Sequence, residues 1–500
     1  MSPWPSRLNV DRFLLRDRLD EGHGDRVAVH LDDGPLTYSD VDGAASAVAW
    51  LLVEAGLQRS DRALLILPDG LAFVASLFGL FRVGAVAIML NPGLTTEPMA
   101  AVLGQARASV ALVHPDHLDA FEVARQKSGS TTRGLVLADA TIARDQPAVP
   151  TVDTAASDPA LWLFSGGTTG LPKAVPQSHR SLANTTQLYG RGTLALTADD
   201  VTIAVPKLYF GYATGSNLFF PFSVGASTVL FPGPATPAAI AERVERSRAS
   251  VLVTVPSAIN QMLSDPKVAQ YDLSSLRLAT SAGEALPESL YNRWTTQLGV
   301  ELLDGLGTAE MWHIFISNTA GEVRPGTLGK VVHGFEVKAC DEDGREVPVG
   351  EVGRLWVKGE SLGPGYWEDP VRTEEAFRGE WFVGGDLISI DEDGYITHRG
   401  RADDALKVKG KWFRPQELES TLLEHEAVRE CAVVAVSDPD GLTKPVAFVV
   451  ADGVSEQDLI DWALSRLEAY KHPRRVFFVD VLPQTHLGKV DRAALKRMAG

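Results

Sequence analysis

The chain has 500 residues, of which 45% are hydrophobic and 22% are charged. This composition is typical of a soluble globular protein with several cores, and it excludes a disordered or fibrous chain. Lys and Arg number 47 against 64 Asp and Glu, so the formal charge of −17 argues against a nucleic-acid binder held by counterion release. The two cysteines lie far apart and give no disulfide framework or metal-ligand spacing, and the first residues lack the apolar core of a secretion signal. We therefore expect a cytoplasmic protein.

Residues 71–90 are almost wholly apolar and raise the question of a membrane span. Arg82 lies near the middle of this stretch, where a charge costs roughly 2.5–3.5 kcal/mol on insertion, and Gly79 and Gly84 interrupt it. The pattern therefore predicts a buried helix at residues 70–83 followed by a buried strand at residues 85–90, with no membrane association.

The order of the predicted elements indicates an α/β fold with two domains. Short β-branched runs alternate with helical stretches at first, as in parallel α/β layers, and acidic glycine turns after about residue 332 predict an antiparallel β subdomain. A compact α+β unit then follows, with an amphipathic helix predicted at residues 455–470. We predict a large multi-layer N-terminal domain over residues 1–402 and a small α+β C-terminal domain over residues 403–500, hinged near Asp403.

The most informative motif is FSGGTTGLPK at residues 164–173. Its glycines and hydroxyl side chains let backbone N–H groups and hydroxyls converge on phosphate oxygens, and Lys173 would add a positive charge. A Walker A loop would need a lysine directly after the glycine, but Leu-Pro separates Gly170 from Lys173. The motif favours a phosphate-binding loop over a plain glycine-rich surface loop. The predicted phosphate contacts are Ser165, Gly166, Gly167, Thr168, Thr169, Gly170 and Lys173.

Over nearly its whole length the chain resembles the adenylate-forming enzymes, which include acyl-CoA and aryl-CoA ligases, adenylation domains and luciferases. Six motifs follow the loop in the family's order: SAGEALP at 281–287, LGTAE at 306–310, GGD at 384–386, GRAD at 400–403, KVKG at 407–410 and PQTHLGK at 483–489. The resemblance implies ATP, Mg²⁺ and a thiol such as that of CoA as reaction partners. It also implies that the C-terminal domain is a mobile lid.

The resemblance assigns further nucleotide contacts. Asp386 and Arg401 are similar to the family's ribose contacts, a carboxylate that accepts from the hydroxyls and a guanidinium that donates to them. Taken alone, either residue would be read as half of a surface ion pair. Gly283, Glu284 and Asp304 lie where the family encloses adenine. Thr308 is a further predicted nucleotide contact.

The resemblance also implies the catalytic residues, namely Lys489, Glu310 and Thr168. Glu310 resembles the carboxylate that helps to hold Mg²⁺ on the triphosphate. Lys489 resembles the lysine that bridges the acid carboxylate and the α-phosphate, although a tail lysine taken alone would be a solvated charge. Asp403 resembles the hinge of the lid, and Gly410 resembles the glycine that lines the thiol tunnel.

One departure from the family pattern lies beside Glu310. The family carries Thr immediately before this carboxylate, where its hydroxyl meets the α-phosphate, but this chain has Ala309. Thr308 lies one residue earlier. The departure puts this phosphate contact in doubt, not the family assignment.

Two segments resemble the benzoate-CoA ligases in particular. The segment at residues 207–217 would supply an aromatic wall, and the segment at residues 304–318 a glycine floor and a polar residue. A flat slot between aromatic faces and glycine backbone suits a planar ring, and a histidine could bind the carboxylate or an ortho substituent. For the tyrosine, the alternative is plain core packing, and for the histidine it is a satisfied buried side chain. The predicted acid-binding residues are Phe210, Gly211, Tyr212, Gly305, Gly307 and His313.

We therefore predict an ATP-dependent ligase that activates benzoate or a substituted benzoate as acyl-AMP and transfers it to CoA. The alternative acceptor is the phosphopantetheine of a carrier protein. A nucleotide-binding protein without catalysis is a third reading, which rests only on Ala309. Neither nucleic acid nor membrane is an expected partner, and the oligomeric state stays open, a homodimer included.

Overall fold

The structure is a computed structural model that describes residues 4–142, 146–165, 173–402, 406–408, 411–413, 415–437, 443–483 and 490–499. The strands, numbered in chain order, are β1 Val27–Leu31, β2 Gly34–Thr37, β3 Arg62–Ile66, β4 Val86–Met89, β5 Val110–Val113, β6 Arg133–Val136, β7 Pro159–Ser165, β8 Lys173–Ser178, β9 Val201–Ala204, β10 Ser227–Val229, β11 Val251–Thr254, β12 Leu278–Ala282, β13 Glu301–Gly307, β14 Ile314–Ser317, β15 Lys330–Val331, β16 Glu336–Cys340, β17 Val352–Lys358, β18 Phe377–Arg378, β19 Trp381–Ile390, β20 Ile396–Arg401, β21 Leu406–Val408, β22 Lys411–Phe413, β23 Val428–Ser437, β24 Thr443–Ala451 and β25 Arg475–Phe478.

The α-helices, numbered in the same way, connect and cover these strands. They are α1 Asp17–Asp20, α2 Tyr38–Glu54, α3 Leu71–Val83, α4 Thr96–Ala106, α5 Leu118–Ser128, α6 His179–Thr185, α7 Gly211–Thr214, α8 Phe220–Val224, α9 Pro237–Ser247, α10 Pro256–Ser264, α11 Glu288–Leu298, α12 Pro370–Ala376, α13 Pro415–Leu423, α14 Glu456–Leu464 and α15 Arg492–Ala499.

The first sheet has six strands in the order β6-β5-β3-β4-β7-β8, parallel except for the β7–β8 pair. Its central strands are buried on both faces. In β3, Leu64 and Ile66 pack with α4 and α5, whereas Ala63 and Leu65 face the core around α2 and α3. A parallel sheet covered on both faces reads in sequence as continuous apolar runs, as the β-branched stretches did.

The apolar stretch at residues 71–90 forms α3 and β4, as predicted. All residues of α3 are buried, and the carboxylate of Asp139 accepts from the backbone N–H groups of Leu71 and Ala72 at its start. The guanidinium of Arg82 is neutralised inside the core by Asp11 and Asp42. No helix in the described part of the chain is long and apolar enough to cross a membrane.

The second sheet has nine strands in the order β15-β14-β13-β12-β11-β9-β10-β1-β2, with its central strands parallel. Helices α9, α10 and α11 cover one face and bury residues such as Ile240, Met262 and Trp294. Its strands β11, β12 and β13 end side by side, which brings the segments that follow them to one edge.

The predicted antiparallel subdomain is confirmed. Strands β16 to β20 form a five-stranded antiparallel sheet, in which β19 pairs with β17, β18 and β20. The β19–β20 register places Asp386 opposite Arg401.

The chain after residue 405 builds a separate small α+β unit. Strands β23, β24 and β25 form its main sheet, with α13 and α14 on one face and α15 on the other. The helix predicted at residues 455–470 is shorter than expected: α14 ends at Leu464. Isolated turns then lead to Pro473, which cannot continue a helix, and on to β25 beside β24. The proposed domain boundary at residues 402 and 403 stays a prediction.

Candidate active site

A cleft of about 2370 Å³ opens where the parallel strands of both large sheets end, and it extends to the C-terminal unit. Ligands of open α/β sheets bind at such carboxyl ends. Most of the site residues predicted from the sequence line this cleft. They are Lys173, Phe210, Gly211, Tyr212, Gly283, Glu284, Asp304, Gly305, Gly307, Thr308, Glu310, His313, Asp386 and Arg401.

The remaining predicted site residues lie outside the described residues, except for Ser165. Ser165 ends β7 and pairs with Lys173, the first residue of β8. The two sides of the phosphate-loop motif therefore lie side by side, and Lys173 lines the cleft. The predicted residues outside the described part of the chain are Gly166, Gly167, Thr168, Thr169, Gly170, Asp403, Gly410 and Lys489.

Three side chains form what we call the charged cluster: Lys173, Tyr366 and Glu310. The Lys173 ammonium lies 3.2 Å from the Tyr366 hydroxyl, which donates to the Glu310 carboxylate at 2.7 Å. Glu310 and Tyr366 are buried, and the ammonium also lies 4.5 Å from the centre of the Tyr366 ring. The sequence predicted the lysine and the glutamate but not the tyrosine between them.

Thr308 and Ala309, the two residues just before Glu310, both form hydrogen bonds within the protein. The Thr308 hydroxyl accepts from the backbone N–H of Met311 and caps a 3₁₀ turn over Ala309–Met311. The carbonyl of Ala309 accepts from the side-chain amide of Gln177 at 2.6 Å. Thr308 therefore stabilises the turn that carries Glu310, a role the sequence did not predict.

Asp386 and Arg401 come together across β19 and β20 at 3.7 Å, and His398 donates to the same carboxylate oxygen at 3.1 Å. Asp386 is buried, whereas the Arg401 side chain is exposed. The pairing agrees with the two sequence motifs, but His398 was not predicted. Its position opposite Ile388 could have been noticed only once the strand register was known.

The ends of β12 and β13 hold three of the predicted nucleotide contacts. Gly283 has a φ of 89°, which favours glycine, and the next carboxylate, that of Glu284, accepts from the backbone N–H of Ser257 at the start of α10. Asp304 is buried in β13, and its Oδ1 has no hydrogen-bond partner among the described residues. Burial raises the pKa of this carboxyl to about 8.

The second group, which we call the aromatic cluster, comprises Phe210, Tyr212, Gly305, Gly307 and His313. The Tyr212 hydroxyl bonds to Thr280 at 2.7 Å, and its ring lies 5.5 Å from the His313 ring. Tyr212 thus both packs on its neighbours and lines the cleft. A Cβ built on Gly307 would overlap the His313 carbonyl, so this glycine is required by the close approach of the β14 segment.

His313 is held in a defined orientation and protonation state. Its Nε2 lies 3.0 Å from the Tyr212 carbonyl oxygen and 3.2 Å from the Ser216 hydroxyl. A carbonyl only accepts, whereas a hydroxyl can accept as well as donate, so both contacts are compatible with a proton on Nε2. Burial lowers the pKa of this imidazole to about 4, so the ring is neutral near pH 7. Its Nδ1 is then an acceptor, buried and without a partner in the described part of the chain. This arrangement disfavours the expected hydrogen bond to a carboxylate, which can only accept.

Trp312, directly before His313, was missed by sequence reasoning. Its backbone has a φ of 69°, in a region that a bulky residue adopts only under strain. The buried indole stacks on Phe219 with ring centres 5.7 Å apart. This turn redirects the chain from the 3₁₀ turn into β14 and places His313 directly before that strand.

Two family models match the chain. The model for the AMP-binding enzyme covers residues 16–367, and the model for the AMP-binding enzyme C-terminal domain covers residues 417–489. The chain belongs to the AMP-binding enzyme family. The predicted membership of the adenylate-forming enzymes is therefore confirmed, as is the α/β fold with a separate C-terminal unit.

Similar AMP-binding enzymes match over almost the whole chain. The benzoate-CoA ligase of Thauera aromatica is 38% identical, over 98% of this chain and 96% of that protein. A crystal structure of the anthranilate CoA ligase AuaEII in complex with anthranoyl-AMP has a TM-score of 0.93 and 35% identity, covering 99% of this chain and 98% of that one. A benzoate CoA ligase from Burkholderia xenovorans LB400 has a TM-score of 0.89 and 34% identity, covering 98% and 99%.

Proposed function

We propose that this protein is an ATP-dependent ligase that joins an aromatic carboxylic acid to CoA. An acid oxygen attacks the α-phosphorus of ATP, which forms the aryl-adenylate and releases pyrophosphate. The CoA thiol then attacks the carbonyl carbon and AMP leaves. The observation that carries the proposal is that the charged and aromatic clusters line one cleft, with Gly305, Gly307, Glu310 and His313 supplied by one continuous segment.

The aromatic cluster supports an aromatic acid. It presents the rings of Phe210 and Tyr212 and the backbone of Gly305 and Gly307, which together suit a flat ring. Burial also holds the pKa of Tyr212 well above its usual range, so its hydroxyl stays neutral. An aryl group would therefore meet a neutral surface, while its carboxylate would extend toward the cationic groups of the nucleotide site.

The state of His313 refines the substrate class. Its Nδ1 is a buried acceptor, and a ring substituent that donates a hydrogen bond, such as an amino or hydroxyl group, would satisfy it. An unsubstituted ring would leave it unpaired. We therefore favour amino- or hydroxybenzoates over benzoate itself.

The nucleotide would occupy the rest of the cleft. Asp386 and Arg401 are the proposed ribose contacts, and Gly283, Glu284 and Asp304 the proposed adenine contacts. The exocyclic amine of adenine is a hydrogen-bond donor, and the buried Oδ1 of Asp304, which has no partner among the described residues, is an oxygen that could accept from it. Lys173 and the loop that precedes it would meet the phosphates.

Mg²⁺ fits the charged cluster through Glu310, since a carboxylate is the hard oxygen ligand that this ion prefers. Among the described residues no group of three or more His, Cys, Asp or Glu is placed to hold a metal. Glu310 is the residue that would hold the ion. When bound, it would neutralise charge on the departing pyrophosphate.

The proposed roles of the C-terminal residues follow from the two steps. Lys489 would supply the cation that relieves repulsion between two anions during adenylation. Rotation of the C-terminal domain about Asp403 would then admit the thiol along a tunnel lined by Gly410. We place the enzyme in the cytoplasm, where Cys340 and Cys431, both unpaired, would stay reduced.

The test is AMP release from a panel of acids with CoA, with a carrier protein bearing phosphopantetheine, and without acceptor. The panel comprises benzoate, 2-aminobenzoate, 3- and 4-hydroxybenzoate and acetate. We expect turnover with the aromatic acids and CoA, and not with acetate. Turnover only with the carrier protein would favour the alternative acceptor, and the absence of any acid-dependent AMP would contradict the proposal.

A further inference from the structure

Tyr366 lies between the two opposite charges of the charged cluster. Its hydroxyl is within hydrogen-bond distance of both the Lys173 ammonium, at 3.2 Å, and the Glu310 carboxylate, at 2.7 Å. Because an ammonium only donates and a carboxylate only accepts, the hydroxyl accepts from the lysine and donates to the glutamate. Each charge is thus bonded to a neutral group.

The backbone around Tyr366 is fixed to the same two elements. The N–H of Gly363 donates to the Glu310 carbonyl at 2.8 Å, and the N–H of Trp367 donates to the Ala174 carbonyl, next to Lys173, at 2.9 Å. The Tyr366 ring also packs edge-on against Phe377. The hydroxyl position is therefore set by the backbone of the segment at residues 363–367.

This segment joins three sheets at the cluster. Lys173 begins β8 of the six-stranded sheet, and Glu310 follows β13 of the nine-stranded sheet. The segment itself lies between β17 and β18 of the antiparallel sheet. The Trp367 indole is further held against Trp162, with ring centres 4.8 Å apart. Tyr366 is therefore well placed to set the distance between groups that come from separate parts of the fold.

Removing the hydroxyl would change the electrostatics of the cluster. An ammonium and a carboxylate at a mostly buried position attract strongly, and nothing polar would then separate them. A direct Lys173–Glu310 pair would occupy both charges with each other. A metal or a phosphate would have to break that pair before binding.

We propose that Tyr366 is a positioning residue that keeps Glu310 available to Mg²⁺ and Lys173 available to phosphate by preventing their direct ion pair. The proposal rests on the function proposed above for these two residues. It assigns Tyr366 no contact with the reacting atoms.

The test compares nucleotide affinity with and without metal. The dissociation constant of a non-hydrolysable ATP analogue with a methylene α,β-bridge is measured by calorimetry in excess Mg²⁺ and in EDTA. The ratio of the two constants is the Mg²⁺ enhancement. Tyr366→Phe should lower this enhancement at least fivefold relative to the wild type. Tyr395→Phe, which removes a hydroxyl at a surface tyrosine, is the matched control and should stay within twofold.

A second comparison tests the role of the lysine. In a Lys173→Met background, Tyr366→Phe should change the Mg²⁺ enhancement less than twofold, because no ammonium remains to pair with Glu310. An equal loss of the Mg²⁺ enhancement in both backgrounds would contradict the claim that Tyr366 keeps Lys173 and Glu310 apart. An unchanged enhancement in Tyr366→Phe, a wild type without enhancement, or a variant that fails to fold would overturn the proposal as a whole. None of these measurements uses an acid. A failure of the proposed ligase function would therefore be seen separately, in the assay of acid-dependent AMP release.

Discussion

The two clusters of the cleft differ in charge and in how their side chains are held. In the aromatic cluster, His313 is neutral and tied to a backbone carbonyl, and Tyr212 is tied to Thr280. In the charged cluster, Lys173 and Glu310 carry opposite charges and meet through the Tyr366 hydroxyl. In the proposed function, the neutral surface would select a ring by shape and hydrogen bonding, whereas the linked charges would exchange their hydroxyl link for a metal and phosphates. The comparison predicts that variants of the two clusters fail in separable ways.

The largest effect is expected at Glu310. Glu310→Gln keeps the side-chain size but removes the negative charge, so the exchange of pyrophosphate into ATP should fall about a hundredfold or more. Thioester formation from supplied aryl-adenylate should change much less, because the pyrophosphate has already left. Glu336→Gln, at an exposed carboxylate, is the control. A fall of less than tenfold in pyrophosphate exchange would contradict a role for Glu310 in adenylate formation.

Gly307→Ala should damage the acid site selectively. The added Cβ would overlap the His313 carbonyl, and relief of that overlap would shift the glycine floor against the ring. We expect KM for the aromatic acid to rise about tenfold while ATP affinity changes less than threefold. Gly43→Ala, in a helix with open space around the glycine, is the control and should leave both constants unchanged. A larger effect on ATP than on the acid would contradict the separation of the clusters.

His313→Phe tests whether the imidazole recognises a hydrogen-bond donor on the ring of the acid. The variant keeps a ring but removes the Nδ1 acceptor, so kcat/KM for an amino- or hydroxybenzoate should fall about tenfold relative to that for benzoate. The measurement is the ratio of the two kcat/KM values in wild type and variant. An equal fall for both acids would show that His313 supports the pocket without recognising a donor.

The smallest expected effect concerns pH. The pKa of His313 is lowered to about 4, so Nδ1 remains an unprotonated acceptor from pH 8 down to pH 6. The preference for a hydroxybenzoate over benzoate should therefore vary less than twofold across this range. A histidine with an ordinary pKa near 6.5 would gain a proton at Nδ1 as the pH falls, and the preference would decline. A decline below pH 6.5 would contradict the assigned state.

Much of the fold could be predicted from the sequence, because its signals are local. The apolar run that became α3 and β4, the acidic turns of the antiparallel sheet and the motif order all depend on neighbouring residues. The end of α14 could not be predicted from periodicity alone, since it is set by the path to Pro473 and the pairing of β25 with β24.

The site was less predictable wherever its geometry depends on distant contacts. Tyr366 lies 56 residues from Glu310 in sequence and reaches it only through the packing of three sheets. The tautomer of His313 depends on the Tyr212 carbonyl, 101 residues away. Residue type alone allowed a donor or an acceptor at this histidine, and only the structure distinguishes them.

The most direct test of the proposed adenylation follows the oxygen atoms of the acid. An aromatic acid with both carboxyl oxygens labelled with ¹⁸O is turned over with ATP, Mg²⁺ and CoA, and the products are analysed by mass spectrometry. Attack of the carboxylate on the α-phosphorus predicts one ¹⁸O atom in AMP and none in pyrophosphate. Label in inorganic phosphate together with ADP, or AMP without label, would contradict the account.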